Sequence, residues 1–302
     1  MDVLQKSNLN LKNQAVFRLI KSLPKLTRLG ISVAVSFSAA TGYLVANKYF
    51  DSKIIFVVLG VLLFASGASA LNQYQERNSD ALMLRTQNRP IPSKQISPAL
   101  GLTIAIVFSI AGFLILYIKT GYIPALLGIL NILWYNGLYT YLKKKTAFAV
   151  VPGSLTGVTP VLIGWTAAGG FILNPVIIFI SFFIYMWQIP HFWLILIKYN
   201  DDYLKAGFGS LSKTFSGEQI KRIVFNWVLG TSITSLFLPY YGIIQSLFII
   251  ILLLIANFWI IVSFYKIIFN KRDVFNFKKA FISINVFMIL VMILLIIDSV
   301  LL

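Results

Sequence analysis

The 302-residue chain is 58% hydrophobic and only 12% charged, with 26 Lys and Arg residues against 9 Asp and Glu residues and a net charge of +17. A soluble globular domain carries about 25% charged residues, so this composition excludes a water-soluble enzyme and predicts an integral membrane protein. The absence of Cys and the presence of 1 His exclude disulfides, thiolate metal sites and sites built from two imidazoles. Polar chemistry must therefore come from carboxylates, amides and cations.

Apolar runs, uncharged apart from Asp298 in the last of them, are long enough to cross about 30 Å of hydrocarbon and predict transmembrane helices. The sequence has nine such runs, at 29–47, 54–71, 96–118, 121–142, 147–168, 171–197, 223–239, 242–265 and 280–302. They lack the alternation of a membrane β-barrel, whose strands have about ten residues. We therefore expect an all-α membrane protein with nine transmembrane helices. It comprises a basic cytoplasmic segment at 1–28 and a single polytopic domain at 29–302.

The distribution of basic residues predicts the orientation of these spans. All but three of the 26 Lys and Arg residues lie in the N-terminal segment or in every second connection between spans; the exceptions are Lys48, Lys53 and Lys119. The positive-inside rule then places the N-terminus in the cytoplasm and the C-terminus outside. Basic charge is thus explained by topology, and we expect a multi-pass protein of the cell (inner) membrane with no nucleic-acid partner.

Acids and amides follow the second predicted span at helical spacing. Asn72, Glu76 and Asp80 lie at i, i+4 and i+8, so a helix that continues out of the span stacks them on one face. Such a set of oxygen atoms suits a hard cation such as Mg²⁺. Arg85 and Arg89 follow, and arginines beside a carboxylate–metal site suit a diphosphate. The alternative is an inert, solvated helix end.

A second acidic pair follows the sixth predicted span. Asp201 and Asp202 come directly after that span, at the depth of Glu76 and Asp80. Like-charged pairs at one depth repel unless a cation lies between them, which favours a shared metal ion. An Asp-Asp pair alone is more often a helix cap or solvent-facing, so the pair is a weak signal by itself.

Two other candidates lie at span ends. His191 follows Pro190 within or beside the sixth span, and an ionisable group at membrane depth is a functional candidate. It fits either an interfacial His bonded to a carbonyl, or a proton carrier or axial ligand of a metalloporphyrin. The Lys143–Lys145 run ends the fourth span, either as a membrane anchor or as an auxiliary diphosphate clamp.

These motifs resemble a known family. Asn72-x-x-x-Glu76-Arg77-x-x-Asp80, followed by Arg85-Thr86-x-x-Arg89-Pro90, resembles the first aspartate-rich motif of the UbiA superfamily of intramembrane prenyltransferases. More narrowly, it is similar to the protoheme IX farnesyltransferase (haem O synthase) branch. The stretches 139–165 and 190–207, with Pro190-His191-Phe192-Trp193 and Lys198-x-x-Asp201-Asp202-Tyr203, also resemble that branch. Nine helices agree with the superfamily.

The chain departs from the branch at two places. Asn78 stands where the branch usually has a further acid, which removes one negative charge from the metal-binding loop and predicts either weaker Mg²⁺ binding or a position to the side of the metal. Ser22-Leu-Pro24-Lys25 stands before the first span, where the branch usually reads Thr-Lys-Pro-Arg. That difference puts a substrate role for this segment in doubt.

The resemblance implies a Mg²⁺-dependent prenyltransferase of haem biosynthesis for terminal oxidases. Such enzymes transfer the farnesyl group of farnesyl diphosphate to a vinyl group of haem b, giving haem O and diphosphate. The resemblance carries roles to individual residues: catalysis and Mg²⁺ binding to Asn72, Glu76, Asp80, Asp201 and Asp202, diphosphate binding to Arg85, Arg89, Lys143 and Lys205, and haem contact to His191. The substrates, membrane lipid and a haem-pathway or oxidase-assembly protein are the expected partners.

Three other functions stay open. A UbiA-type enzyme acting on an aromatic or quinone precursor differs only in its acceptor. A cation-coupled secondary transporter would place ionisable residues deep within broken helices, whereas the acids here lie at helix ends on one side. A non-catalytic haem-binding membrane protein would need His191 but would be indifferent to the loss of Asp80.

Overall fold

The structure, a computed structural model, describes residues 17, 19–269 and 276–301, and every regular element among them is helical. The first part of the basic N-terminal segment, residues 1–16, lies outside the described residues. The α-helices are α1 at 19–26, α2 (Leu29–Asn47), α3 (Lys53–Leu82), α4 (Pro98–Thr120), α5 (Tyr122–Ile132), α6 (Thr140–Lys145), α7 (Val150–Gly153), α8 (Leu155–Ala167), α9 (Pro175–Lys198), α10 (Asn200–Lys205), α11 (Gly217–Tyr240), α12 (Leu247–Phe269) and α13 (Phe277–Leu301).

Eight helical segments of the described chain are long and apolar enough to cross a membrane. The run expected at 121–142 is not among them, because α5 passes into a π-helical segment, Leu133–Tyr139, before α6 resumes the α-helix. The all-helical membrane architecture is confirmed, whereas the count of nine spans and the orientation of the termini stay predictions. A π-helical turn inside a helix frequently marks a functional site.

Helix α3 is longer than the hydrocarbon requires. It has 30 residues, about 45 Å at 1.5 Å per residue, although its apolar run ends near residue 71. Its last three turns therefore extend beyond the apolar layer and carry Asn72, Glu76 and Asp80. The expected helix continuing out of the second span is confirmed.

The long helices form a closed arrangement. Helix α2 packs against α3 and α8, α9 packs against α8 and α11, and α13 contacts both α2 and α9, so the last helix returns to the first. Helices α2 and α8 touch backbone to backbone, because a Cβ at Gly42 would collide with the Val161 carbonyl and one at Gly164 with the Ala39 carbonyl. Small residues permit such close helix packing in membranes.

A buried carboxylate fixes the end of the bundle formed by α12 and α13. Asp298 of α13 is 1% exposed and accepts hydrogen bonds from the backbone N–H groups of Gln245 and Ser246, at 3.0 and 2.9 Å. These amides immediately precede α12 and have no intrahelical partners of their own. Asp298 is therefore a structural cap.

Candidate active site

The three residues predicted to share one face of α3, which we call the ladder (Asn72, Glu76 and Asp80), each accept a hydrogen bond from a cationic side chain. Asn72, Glu76 and Asp80 lie on one face of α3 and are buried. Arg28 donates a hydrogen bond to Asn72 Oδ1 at 2.8 Å, Lys143 to Glu76 Oε2 at 2.8 Å, and Arg89 to both Asp80 carboxylate oxygens at 2.7 Å. Three cations thus face two carboxylates, and the cluster carries a positive formal charge.

Arg28 is the site residue that the sequence analysis missed. It occupies a left-handed turn between α1 and α2, at φ 47° and ψ 52°. Gln73 of α3 supports this turn by donating its Nε2 hydrogens to the carbonyls of Lys25 and Leu26, at 2.8 and 2.9 Å. The only sequence signal was a cation directly at the start of the first apolar run, which was explained by topology.

The charge of Arg28 is stabilised by its surroundings. Its Nη1 donates to the Tyr135 hydroxyl at 3.3 Å. Burial opposes the charged form, but interactions with Tyr135, Glu76 and Asp80 outweigh it, so the pKa of Arg28 is raised above its ordinary value. Arg28 therefore stays a cation at the centre of the cluster.

The π-helical segment aligns α6 with α3. Asn136 donates its Nδ2 hydrogens to the Ala68 carbonyl and to Gln75 Oε1, each at 3.1 Å, and Gln75 Nε2 donates back to the Asn136 carbonyl at 3.1 Å. One turn later, Thr140 Oγ1 accepts a hydrogen bond from Asn72 Nδ2 at 3.1 Å. These contacts place Lys143, at the end of α6, against Glu76.

The two predicted acidic clusters lie on the same side of the bundle. Asp202 of α10 is buried and accepts hydrogen bonds from the backbone N–H groups of Leu84 and Arg85, at 3.3 and 3.1 Å. These amides come four and five residues after Asp80. Arg89, on the same loop, has a lowered pKa, chiefly because of burial and then because of the nearby Arg28 charge.

Four predicted site residues line one cavity of about 550 Å³: Arg85, Asp201, Asp202 and Lys205. The Arg85 guanidinium lies 4.7 Å from the centre of the Tyr199 ring and donates to the Tyr203 hydroxyl at 3.3 Å. Asp201 and Lys205 are exposed to solvent. The cavity therefore offers both carboxylate oxygens and cationic hydrogen-bond donors beside the cluster on α3.

The expected grouping of all the acids is not present. Among the described residues, no three His, Asp or Glu side chains come close enough to hold a metal ion together. The physical reason is that Lys143 and Arg89 occupy Glu76 and Asp80, while backbone amides occupy both oxygens of Asp202. The metal-binding roles of these side chains stay predictions.

The ladder on α3 nevertheless suits a hard divalent cation. Glu76 Oε1 lies 2.8 Å from Lys143 Nζ, yet it is buried and accepts no hydrogen bond. With Asn72 Oδ1 and the Asp80 oxygens, it gives a donor set made only of oxygen, the ligand type that Mg²⁺ prefers. The side chain of Asn78 is exposed, so the absence of an acid at this position removes no charge from the buried face of α3.

His191 lies inside α9 and packs among aromatic rings. Its ring centre is 4.8 Å from that of Trp187 and 5.0 Å from that of Phe281 on α13, and Nδ1 is buried without a hydrogen bond. The adjacent Phe192 stacks on Tyr139 of the π-helical segment, with ring centres 5.8 Å apart. His191 itself therefore contacts rings of α9 and α13, and its haem contact stays a prediction.

Comparison with known proteins identifies the family. Residues 34–295 match the UbiA prenyltransferase family. The chain belongs to this family. It is therefore an enzyme of the prenyltransferase class and a multi-pass membrane protein.

Several curated relatives carry the same name. A protoheme IX farnesyltransferase of Christiangramia forsetii is 36% identical over 228 residues, which is 72% of this chain and 74% of the relative. One from Geobacter sulfurreducens is 34% identical, covering 72% of this chain and 80% of the relative. One from Oleidesulfovibrio alaskensis is 28% identical over 93% of this chain and 97% of the relative.

Solved structures share the fold. A digeranylgeranylglyceryl phosphate synthase superposes with a TM-score of 0.72 at 18% identity, covering 94% of this chain and 99% of the other. A UbiA homologue from Archaeoglobus fulgidus bound to GPP and Mg²⁺ superposes with a TM-score of 0.69 at 13% identity, covering 93% of this chain and all of the other (100%). At these identities the likeness concerns the fold alone.

Proposed function

We propose that this protein transfers the farnesyl group of farnesyl diphosphate to a vinyl group of haem b, giving haem O and diphosphate. The names of the relatives support this choice of substrates. The observation that carries the chemistry is the buried ladder of Asn72, Glu76 and Asp80, each side chain matched with a cation and adjoining a cavity at the bundle end.

The diphosphate is proposed to bind where the cations converge. Arg85 and Lys205 line the cavity, and Arg89 and Lys143 reach the buried face of α3. Guanidinium groups bind phosphate oxygens through paired N–H donors, and ammonium groups act as point charges. Arg28 is held by hydrogen bonds to Asn72 and Tyr135 and adds a permanent positive charge to this region.

Mg²⁺ is proposed to be held by Asn72, Glu76 and Asp80, together with Asp201 and Asp202 of the second acidic pair. To bind the metal, the carboxylates of Glu76, Asp80 and Asp202 would exchange the hydrogen bonds that they accept in this structure for metal coordination. A bound Mg²⁺ supplies Lewis-acid stabilisation of phosphate oxygens. Support comes from the oxygen-only donor set and from the Archaeoglobus fulgidus homologue, which binds GPP and Mg²⁺.

The residues of this chain then favour ionisation of the prenyl donor. The bond between farnesyl C1 and the bridging oxygen breaks, and its electron pair leaves with the diphosphate. Arg89, Lys143 and Arg28 are positioned to stabilise that growing negative charge, which is the usual source of the largest catalytic effect. The vinyl group of haem attacks the resulting allylic cation and forms a carbon–carbon bond. Water adds to the new carbocation and loses a proton, which leaves a hydroxyl group.

Aromatic side chains are proposed to protect the allylic cation and the later carbocation from premature reaction with water. Tyr135, Tyr139 and Phe192 form a continuous aromatic stack, with ring centres 5.8 Å apart at both contacts, leading from Arg28 toward α9. Such a wall offers the isoprenoid an apolar surface and excludes water. We place haem beside His191 on α9, and the reaction at the cytoplasmic side of the cell (inner) membrane.

The test is a direct assay of the acceptor. Purified protein in detergent is incubated with farnesyl diphosphate, Mg²⁺ and either haem b or a hydroxylated aromatic acid, and products are identified by mass spectrometry. A farnesylated, hydrated haem is expected. Prenylation of the aromatic acid with untouched haem would favour the quinone-type alternative, and neither product would refute the proposal.

A further inference from the structure

A second cavity adjoins the Lys143–Lys145 run. It has a volume of about 250 Å³ and is lined by the end of α6, the following turn and the loop at 207–214. Lys144 and Lys145 contribute to its wall, and none of its lining residues is acidic. It thus differs from the larger cavity, where Asp201 and Asp202 accompany the cations.

The loop that closes this cavity is held firmly. Gly209 packs so closely on the turn after α6 that a Cβ would collide with the backbone of Thr146 and Ala147. Asn200 Oδ1 accepts hydrogen bonds from the hydroxyls of Ser210 and Ser212, which ties the loop to α10. The cavity wall is therefore linked by hydrogen bonds to the helix that carries Asp201 and Asp202.

The side chains of Lys143, Lys144 and Lys145 point in different directions because they follow one another on α6. Successive residues of an α-helix point about 100° apart. Lys143 reaches Glu76, whereas Lys144 and Lys145 line the second cavity. The end of α6 therefore directs one cation to the acids of α3 and two cations to a cavity whose lining residues include no acid.

Aromatic surface adjoins the second cavity. Phe148, one of its lining residues, is 45% exposed, and its ring contacts Phe215 and Trp193 edge-on, with centres 6.1 and 6.5 Å apart. A flat, apolar group bearing an acid at its edge is complementary to a half-exposed aromatic ring beside two ammonium groups. Trp193 belongs to α9, so the cavity adjoins the helix that is proposed to contact haem, on a different face from His191.

We propose that this cavity binds a carboxylate of the acceptor, with Lys144 and Lys145 as the pairing cations. The inference rests on the proposed function, since haem b carries carboxylate side chains whereas farnesyl diphosphate has none. Lys144 and Lys145 then determine the specificity for the acceptor and its orientation, and they take no part in ionising the donor. An anionic lipid headgroup would bring the same acidic chemistry and must be distinguished by experiment.

The experiment compares Lys144→Gln/Lys145→Gln with wild type in detergent without phospholipid. We expect KM for haem b to rise about tenfold and KM for farnesyl diphosphate to stay unchanged. Haem b dimethyl ester, in which the carboxylates are masked, is expected to be an equally poor substrate for both proteins. Lys94→Gln, which removes an exposed charge from the loop after α3, is the matched control and should behave as wild type.

Absorbance titration with haem b provides a readout that does not depend on turnover. Weaker binding in the double variant, with equal binding of the dimethyl ester, supports the cavity even if no farnesylated product forms. Equal binding of haem b by both proteins refutes the inference, whatever the outcome for farnesyl transfer. A defect that is as large with the ester shows that the lysines do not bind the haem carboxylates and refutes the inference. A defect that appears only in vesicles containing anionic lipid assigns the cavity to a headgroup and also refutes it.

Discussion

The pair formed by Glu76 and Lys143 allows a sharp test of the proposed chemistry. Glu76 is 3% exposed and Lys143 16% exposed at the side chain, so breaking the pair leaves one charge largely buried. Breaking a buried pair costs 3–5 kcal/mol, and the partial exposure of Lys143 lowers our expectation to about 2–3 kcal/mol for either Glu76→Gln or Lys143→Met. The double variant removes both charges and should cost only about 1 kcal/mol.

Activity is expected to behave differently from stability. If Glu76 holds the metal and Lys143 the diphosphate, each single variant should lose about 10²–10³ in rate, the usual cost of removing one group that stabilises transition-state charge. The double variant should recover stability but not rate, because both functional groups are then missing. A purely structural ion pair would instead let activity return together with stability.

Both quantities are measurable on the same preparations. Unfolding in detergent, followed by circular dichroism, gives the free energies of unfolding for the cycle, and the haem farnesylation assay gives the rates. An interaction energy near zero would show that the pair is weaker than its 2.8 Å distance indicates. Near-wild-type activity in the double variant would refute the roles assigned to both side chains.

Four further predictions concern Asp80, the metal ion, His191 and Asp298. Asp80→Asn should reduce the rate of farnesyl transfer at least about 100-fold while the protein still inserts into the membrane. The reason is that Arg89 loses its buried carboxylate partner and the ladder loses one oxygen ligand. Normal turnover in the membrane fraction would contradict this prediction. EDTA should stop turnover and added Mg²⁺ restore it, whereas activity insensitive to chelation would exclude a metal role. His191→Ala should weaken haem binding about tenfold in an absorbance titration without altering KM for farnesyl diphosphate, since the ring lies apart from the acid cluster; unchanged haem affinity would remove it from the acceptor site. Asp298→Asn should lower the free energy of unfolding by about 1–3 kcal/mol and leave the rate per folded molecule unchanged, because it caps only the start of α12; a specific loss of rate would argue against a purely structural role.

The sequence predicted the ladder on α3 because the argument needed only local geometry. Residues at i, i+4 and i+8 share a face in any α-helix, so the alignment of Asn72, Glu76 and Asp80 followed once the helix was assumed to continue past the apolar run. Hydropathy located the long spans for a similar reason, since hydrocarbon thickness sets their length. The π-helical break at Leu133–Tyr139 left no such signal, because it depends on contacts of Asn136 with α3.

Tertiary contacts decided what the sequence did not predict. Metal binding by Asp202 stays a prediction, and nothing in the sequence indicated that its carboxylate accepts hydrogen bonds from the backbone amides of the loop after α3, a contact between residues more than a hundred positions apart. Arg28 was attributed to membrane topology, because its place in the site depends on a left-handed turn supported by Gln73. In both cases backbone groups make the deciding contact, namely the amides that Asp202 binds and the carbonyls through which Gln73 holds the turn of Arg28, and residue patterns do not reveal such contacts.

Charge balance connects the cluster to its proposed substrates. Buried charges are tolerated when they are compensated, and the α3 cluster alone holds three cations against two carboxylates, an excess of about one positive charge. A divalent cation alone would raise the net charge of the cluster to about +3, which is unfavourable in a buried site. An ionised prenyl diphosphate, with a charge of about −3, would bring that net charge back to about zero when it binds together with the metal. The cluster therefore favours joint binding of metal and diphosphate over either one alone. It follows that Mg²⁺ should bind tightly only when the prenyl donor is present.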